Sequence, residues 1–245
     1  MGYLEKNPFD GINVRSLGLY NIPKKSRNEK VFTRQETKDI NAIAFEDFAR
    51  KPYCVPLAVL FTFQTGLRIS EVVALKWQDI NFVDKTIRIA RFERVQQEYT
   101  DDFEVLTKCQ HIIIDSDTKG EFGERIVDLT YDALYILELL KEYYESENLV
   151  SEWLFVNKSG RIHNRAMDLR IRRYCRLAGI NEKSLHKIRS TYISLLRDAG
   201  VSFEKIAEEV GHKSVLTTML NYSFDTQNDV ENKRLINKGL NIHTA

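Results

Sequence analysis

The sequence predicts an α+β fold, mainly α-helical, with a small antiparallel β-sheet on one side. Three observations carry this. Apolar residues recur at helical spacing over most of the chain after residue 33. Segments that alternate apolar and charged residues are confined to the middle, within 86–129. Short glycine-bearing joints separate the two kinds of segment. A chain of 245 residues buries a sizeable core, as one large domain or two small ones.

Taken in order, residues 1–30 hold Pro8, Pro23, several glycines and the run K-K-S-R-N-E-K, a composition suited to a lead-in or interdomain linker. T-R-Q-E at 33–36 is a capping box, so a helix is expected from about 33 to 48. V-P-L-A-V-L-F-T-F places a second, buried helix at 53–64, broken by Gly66. A third helix is expected from Arg68 or Ile69 to Leu75, with Arg68 and Glu71 one turn apart. T-I-R-I-A-R alternates as a half-buried strand. The acidic stretch 91–110 reads as a strand extension or inserted loop. H-I-I-I-D and R-I-V-D-L, joined by T-K-G-E-F-G-E, read as a β-hairpin with a long turn. D-A-L-Y-I-L-E-L-L-K-E-Y-Y returns to helical spacing, and W-L-F-V is a short extended link. Further helices are expected at 164–178, 184–200 and 202–211. The sequence has no internal repeat and no low-complexity tract.

Composition excludes several classes. The longest apolar runs, such as 55–63, are too short to span a bilayer, so no membrane is expected as a partner. The start, M-G-Y-L-E-K, is not a secretory signal, and Lys6 stands where a myristoylation motif needs Ser or Thr. Cys54, Cys109 and Cys175 are too few and too scattered for a disulfide framework or a cysteine zinc site; they fit buried small hydrophobes in a reducing cytoplasm. Net charge is only +1, but unevenly spread. Residues 158–189 hold ten Lys/Arg against two acids, and 93–147 hold fifteen acids against five Lys/Arg. That distribution suits a protein offering one face to a polyanion, although two ordinary solvated surfaces would look the same.

Two stretches hold candidate chemistry. The first is T-G-L-R-I-S-E, with Arg68 and Glu71. The second runs from L-H-K-I-R-S-T-Y, with His186 and Arg189 one turn apart, to G-H-K-S-V-L-T-T-M-L-N-Y-S-F, with His212 and Tyr222. Two arginines clamp a phosphate, two histidines move protons, and a tyrosine attacks. Singly, each is an ordinary surface or capping residue; the ordered set is not.

With T-G-L-R-I-S-E-V-V-A-L-K-W-Q-D-I as a first box and the two later stretches as a second, the chain resembles the tyrosine recombinase family, the phage-type integrases. Lys119 in D-T-K-G-E-F-G-E-R-I-V-D-L matches the family's hairpin lysine. The resemblance covers about residues 30–224 and is similar to integrases of conjugative transposons and phages of low-GC bacteria. It implies a tyrosine-recombinase catalytic fold over 31–224, and a site-specific DNA recombinase that cleaves and rejoins strands through a 3′-phosphotyrosine, leaving a free 5′ hydroxyl. Tyr222 would be the nucleophile. Arg68 and Arg189 would hold the non-bridging oxygens of the scissile phosphate, and His212 would add a hydrogen bond to them. His186 would help take the tyrosine proton, Lys119 would protonate the departing oxygen, and Glu71 would hold the site together. The ester retains the bond energy, so no cofactor, ATP or metal is implied. The implied partner is double-stranded DNA at attachment-site cores, met by Arg161, Arg165, Arg172, Arg173 and Lys187. A homotetramer on DNA is implied, a monomer or weak oligomer when free, in a bacterial cytoplasm. Residues 225–245 would form a tail helix exchanged between protomers.

Two departures stand out. Tyr222 lies ten positions after His212, one more than the common spacing, which predicts a looser or bulged approach of its helix. The thirty lead-in residues cannot hold the core-binding domain that usually precedes this one, so the sequence reads as a catalytic-domain fragment. The alternatives are a catalytically inert DNA-binding accessory module on the same scaffold and, with less support from the boxes, a relaxing topoisomerase.

Overall fold

The computed structural model describes residues 30–99, 105–116 and 124–222. Helix α1 (Arg34–Arg50) starts at the expected capping box: Thr33 Oγ1 accepts from Glu36 N, and the Glu36 carboxylate accepts from Thr33 N. Helix α2 (Cys54–Thr65) is buried almost throughout, as its all-round apolar sequence requires, and α1, α4 (Tyr131–Ser146), α5 (Asn164–Leu177) and α6 (Leu185–Asp198) pack around it. It ends at Gly66, which takes the left-handed conformation at φ 62°.

Helix α3 (Ile69–Val72) is a single turn, shorter than expected. Beyond Val72 the bonds tighten to i→i+3, from Ala74 N to Glu71 O and from Leu75 N to Val72 O. The Leu75 carbonyl then accepts from Leu154 N, and Trp77 N donates to Glu152 O, which draws the chain out of helix and against a distant segment.

The strands are β1 (Ile80–Asn81), β2 (Thr86–Ile89), β3 (Phe92–Tyr99), β4 (Val105–Asp115), β5 (Arg125–Asp128), β6 (Val156–Asn157) and β7 (Gly160–Arg161). One antiparallel sheet has the order β1-β2-β5, and β3-β4 and β6-β7 form separate ribbons. This corrects the expected hairpin. H-I-I-I-D, the end of β4, pairs with β3 inside the acidic stretch, whereas R-I-V-D, β5, pairs with β2. Burial explains the choice. In the β2–β5 register Ile87 lies opposite Val127, and both are fully buried with Ile89 beside them. Ile112 of β4 is still 48% exposed when paired, so its apolar run does not mark a core strand. The T-K-G-E-F-G segment joining β4 to β5, with Lys119, lies outside the described residues.

Helices α4 (Tyr131–Ser146), α5 (Asn164–Leu177), α6 (Leu185–Asp198) and α7 (Phe203–Val210) fall close to their expected spans. Helix α8 (Val215–Tyr222) packs on α6 and α7 and is continuous α-helix, so the extra residue after His212 produces no bulge within it. One main core spans α1 to α6. A smaller cluster of Ile193, Ile206 and Val210 joins α6 to α7. The Asp47 carboxylate ties α1 to α5 through Tyr174, 2.7 Å, and Arg170, 3.1 Å. Cys54 and Cys175 are buried, and burial raises both thiol pKa values. Among the described residues no helix is long and apolar enough to cross a membrane.

Candidate active site

The site forms where the turn after α2, the strand β5, the N-terminal half of α6 and the α7–α8 turn converge. Its anchor is Glu71, 0% exposed at the third position of α3. Its carboxylate accepts from Arg68 N at 2.9 Å and Arg68 Nη1 at 3.1 Å, and from Arg125 Nη1 and Nη2 at 2.9 and 2.8 Å. Burial alone would raise this carboxyl's pKa. The Arg125 hydrogen bond and charge, then the charges of Arg189 and Arg68, outweigh it and hold Glu71 below the ordinary carboxylate range. Glu71 is therefore an ion whose role is to orient two guanidinium groups.

Helix α6 presents His186 and Arg189 one turn apart. Arg189 is 1% exposed, and its plane is set by two backbone carbonyls, Gly66 O at 3.0 Å and Val210 O. Gly66 serves this contact twice. Its φ directs the carbonyl toward Arg189, and the missing side chain leaves room for the Tyr192 ring.

His212 follows Gly211, the left-handed C-cap of α7, and its Nδ1 shares a 2.8 Å hydrogen bond with Thr218 Oγ1 of α8. Thr218 is buried, and Tyr222 stands four residues later in the same helix. The backbone thus places Tyr222 on the helical stripe that Thr218 fixes to His212. The imidazole of His212 is lowered to about 4 by burial, then by the charges of Arg189, Arg68, Arg125 and His186. His186 is also lowered, by burial and by Arg189, Lys187 and Arg68. Both histidines are held neutral beside a cluster of arginines, an environment that calls for an anion.

Arg68, Glu71, His186, Arg189 and His212 are thus brought together, with Tyr222 on the helix bonded to His212; Lys119 lies outside the described residues. The five basic residues expected to meet DNA divide. Arg161 is turned inward: it donates to Val73 O at 2.9 Å and pairs with buried Glu93 at 2.7 Å. Arg172 pairs with Asp168 and Glu182. Arg173 is exposed on α5, and Lys187 is partly exposed next to His186. Arg165 lines a cavity of about 330 Å³ that it shares with His186, Asn164 and Ile69. Among the described residues no group of His, Cys, Asp and Glu is placed to hold a metal ion.

Arg125 belongs to the same cluster, although its partners are distant in sequence. Its signal is strand parity: Arg125 and Val127 face inward, while Ile126 is 62% exposed. A strand that turns arginine in and isoleucine out needs a buried carboxylate opposite the arginine.

A profile described as the phage integrase family matches residues 30–228. Among curated proteins, the chain is 26% identical to a tyrosine recombinase XerC-like protein of Caldanaerobacter subterraneus subsp. tengcongensis, over 89% of this chain and 56% of the relative. It is 25% identical to the integrase of Staphylococcus phage L54a, over 88% and 64%, and 27% identical to the ICEBs1 integrase of Bacillus subtilis, over 88% and 54%. The chain therefore spans between about half and two thirds of the length of these relatives. In fold it matches the Tn1549 transposon integrase, solved in complex with transposon right end DNA, at a TM-score of 0.65 and 15% identity, over 97% of this chain and 72% of that one. The XerA recombinase matches at 0.61 and 20% identity, over 86% and 65%.

Proposed function

The chain belongs to the phage integrase family, and we propose that it carries the catalytic centre of a site-specific DNA recombinase, with Tyr222 as nucleophile. One observation supports this most strongly: Arg68, Arg189, His186 and His212 converge beside the helix that bears Tyr222, around a buried Glu71 that orients rather than reacts. Such a cluster fits a phosphodiester. Arg68 and Arg189 would take its non-bridging oxygens and stabilise the negative charge that grows in the pentavalent transition state. His212 would donate to the same oxygens, and neutral His186 would accept the tyrosine proton. A tyrosine titrating near 10 needs both a base and this positive surround to attack at neutral pH.

The attack would form the Tyr222 Oη–phosphorus bond and break the bond to the 5′ oxygen, which leaves as a hydroxyl with a proton from Lys119. Rejoining reverses the step with a different 5′ hydroxyl. Phosphodiester is exchanged for phosphodiester, so neither ATP nor a metal ion is called for. Tyr192, a tyrosine beside Arg189 and Arg125, is a poor rival: burial and the charges of Glu209 and Asp128 raise its pKa. The natural substrate would be attachment-site DNA of a mobile element in a bacterial cytoplasm, bound as a tetramer. Residues 225–245, outside the described residues, would be the segment passed between protomers.

The test is a nicked suicide duplex incubated in EDTA without ATP. The parent chain should form a covalent adduct that maps to Tyr222, and the Tyr222→Phe variant should bind DNA but form none. Tight binding by the parent with no adduct would identify the inert binding module instead.

A further inference from the structure

We propose that Arg125 is a positioning residue of this centre, locking the Arg68 turn and the His212 turn into one fixed relation. The inference rests on the active-site reading above and assigns a residue which that reading leaves out. Arg125 opens β5 with its side chain 7% exposed. Its two terminal nitrogens grip both oxygens of Glu71, and its Nε donates to Glu209 O at 2.9 Å. Glu209 lies two residues before Gly211 and three before His212. A Cβ at Gly211 would fall 3.0 Å from Arg125 Cδ, so the arginine lies flat against the turn that presents His212.

Four donors, two each from Arg68 and Arg125, converge on the Glu71 carboxylate, which has about four acceptor sites. Arg68 is thus held by a carboxylate that Arg125 has already fixed in place. Without Arg125, Glu71 would keep a buried charge satisfied by Arg68 alone and would draw that guanidinium away from phosphate. The His212 turn would at the same time lose one of its two hydrogen bonds to β5, keeping only the 3.3 Å bond from Asp128 N to the Glu209 carboxylate. Lysine at this position keeps the charge but not the planar fork that reaches two oxygens and a carbonyl together.

The experiment uses the 245-residue chain with Arg125→Met and Arg125→Lys, and reads single-turnover adduct formation, DNA affinity, thermal melting and the His212 ring-proton titration separately. Arg125→Met should slow adduct formation by roughly 100-fold, the scale of losing one preorganised donor, with DNA affinity changed by no more than about threefold. Arg125→Lys should recover part of the rate. His212 should titrate at higher pH in Arg125→Met, because a nearby cation is gone and an anion is uncovered, whereas Tyr222→Phe should leave that titration unmoved. Cleavage by Arg125→Met within about threefold of the parent would overturn the proposal. Equal loss of melting temperature, binding and rate in both variants would also overturn it, because that marks a packing role. If the parent itself forms no adduct, the active-site reading falls. Arg125 is then judged by the His212 titration, and an unmoved titration in Arg125→Met rejects the lock.

Discussion

Replacing Gly66 with alanine tests how closely the site is built into the fold. Gly66 sits at φ 62°, and a Cβ there would fall 2.2 Å from Cδ1 of Tyr192 and 2.6 Å from Cγ. The left-handed conformation costs a non-glycine residue about 1–2 kcal/mol. Carbon atoms pack at about 3.5–4.0 Å, so the ring must retreat by more than ~1 Å, and overpacking of that kind costs about 1–3 kcal/mol. The two terms act on one residue, so Gly66→Ala should destabilise by about 2–5 kcal/mol. At about 2–4 °C per kcal/mol for a chain of this size, the melting temperature should fall by roughly 4–20 °C. Cleavage should fall further than melting alone predicts, because the Gly66 carbonyl orients Arg189 at 3.0 Å. Thermal melting by circular dichroism measures the first effect and the suicide duplex the second. Tyr192→Ala, which removes every ring atom beyond Cβ, should relieve the collision but not the backbone strain, so the double variant should show a coupling of about 1–3 kcal/mol in a double-mutant cycle. Additive single effects, or a Gly66→Ala variant that melts within about 2 °C of the parent, would refute the reasoning.

Two further outcomes follow from the charges at the site. In the free protein His212 should titrate near 4, well below the ordinary 6.5. Between those values the unfolded chain binds more protons, so the stability this residue contributes is complete above about 6.5 and is lost as the pH falls through about 4. A bound DNA phosphate, opposing the arginine charges, should move the titration upward, and nuclear magnetic resonance of the imidazole protons reads both effects. On the surface, reversing Arg165 and Arg173 to Glu should weaken binding to all DNA sequences alike and flatten the salt dependence, by about 0.9 in log–log slope for each phosphate no longer neutralised. Arg172→Glu should do less, since Asp168 and Glu182 already pair that residue; an unchanged slope in the first variant would place those arginines away from DNA.

What could be read beforehand was local or jointly ordered. The Thr33–Glu36 capping box marks a helix start because its two hydrogen bonds lie within four residues. Arg68, Glu71, His186, Arg189, His212 and Tyr222 could be chosen because their order and spacing are informative even though none is informative alone. What escaped depends on distant partners. Alternation in R-I-V-D marked a strand but not its neighbour, because only the shared burial of Ile87 and Val127 selects β2 over β4. Arg161 lay in the basic stretch and looked available to DNA, but Glu93 and the Val73 carbonyl, 68 and 88 residues away in sequence, turn it inward. Arg125 escaped because its partners, Glu71 and the Glu209 carbonyl, lie 54 and 84 residues away.

The most direct measurement of the central claim is the identity of the residue joined to DNA on a nicked suicide substrate. Peptide mapping of the adduct should find the phosphate ester on Tyr222, with a 3′ phosphoryl linkage and a free 5′ hydroxyl on the released strand. Tyr222→Phe should abolish the adduct while its affinity for the same duplex stays within about threefold of the parent, since only one hydroxyl is removed. An adduct of undiminished yield in Tyr222→Phe, or one mapping to Tyr192, would contradict the account.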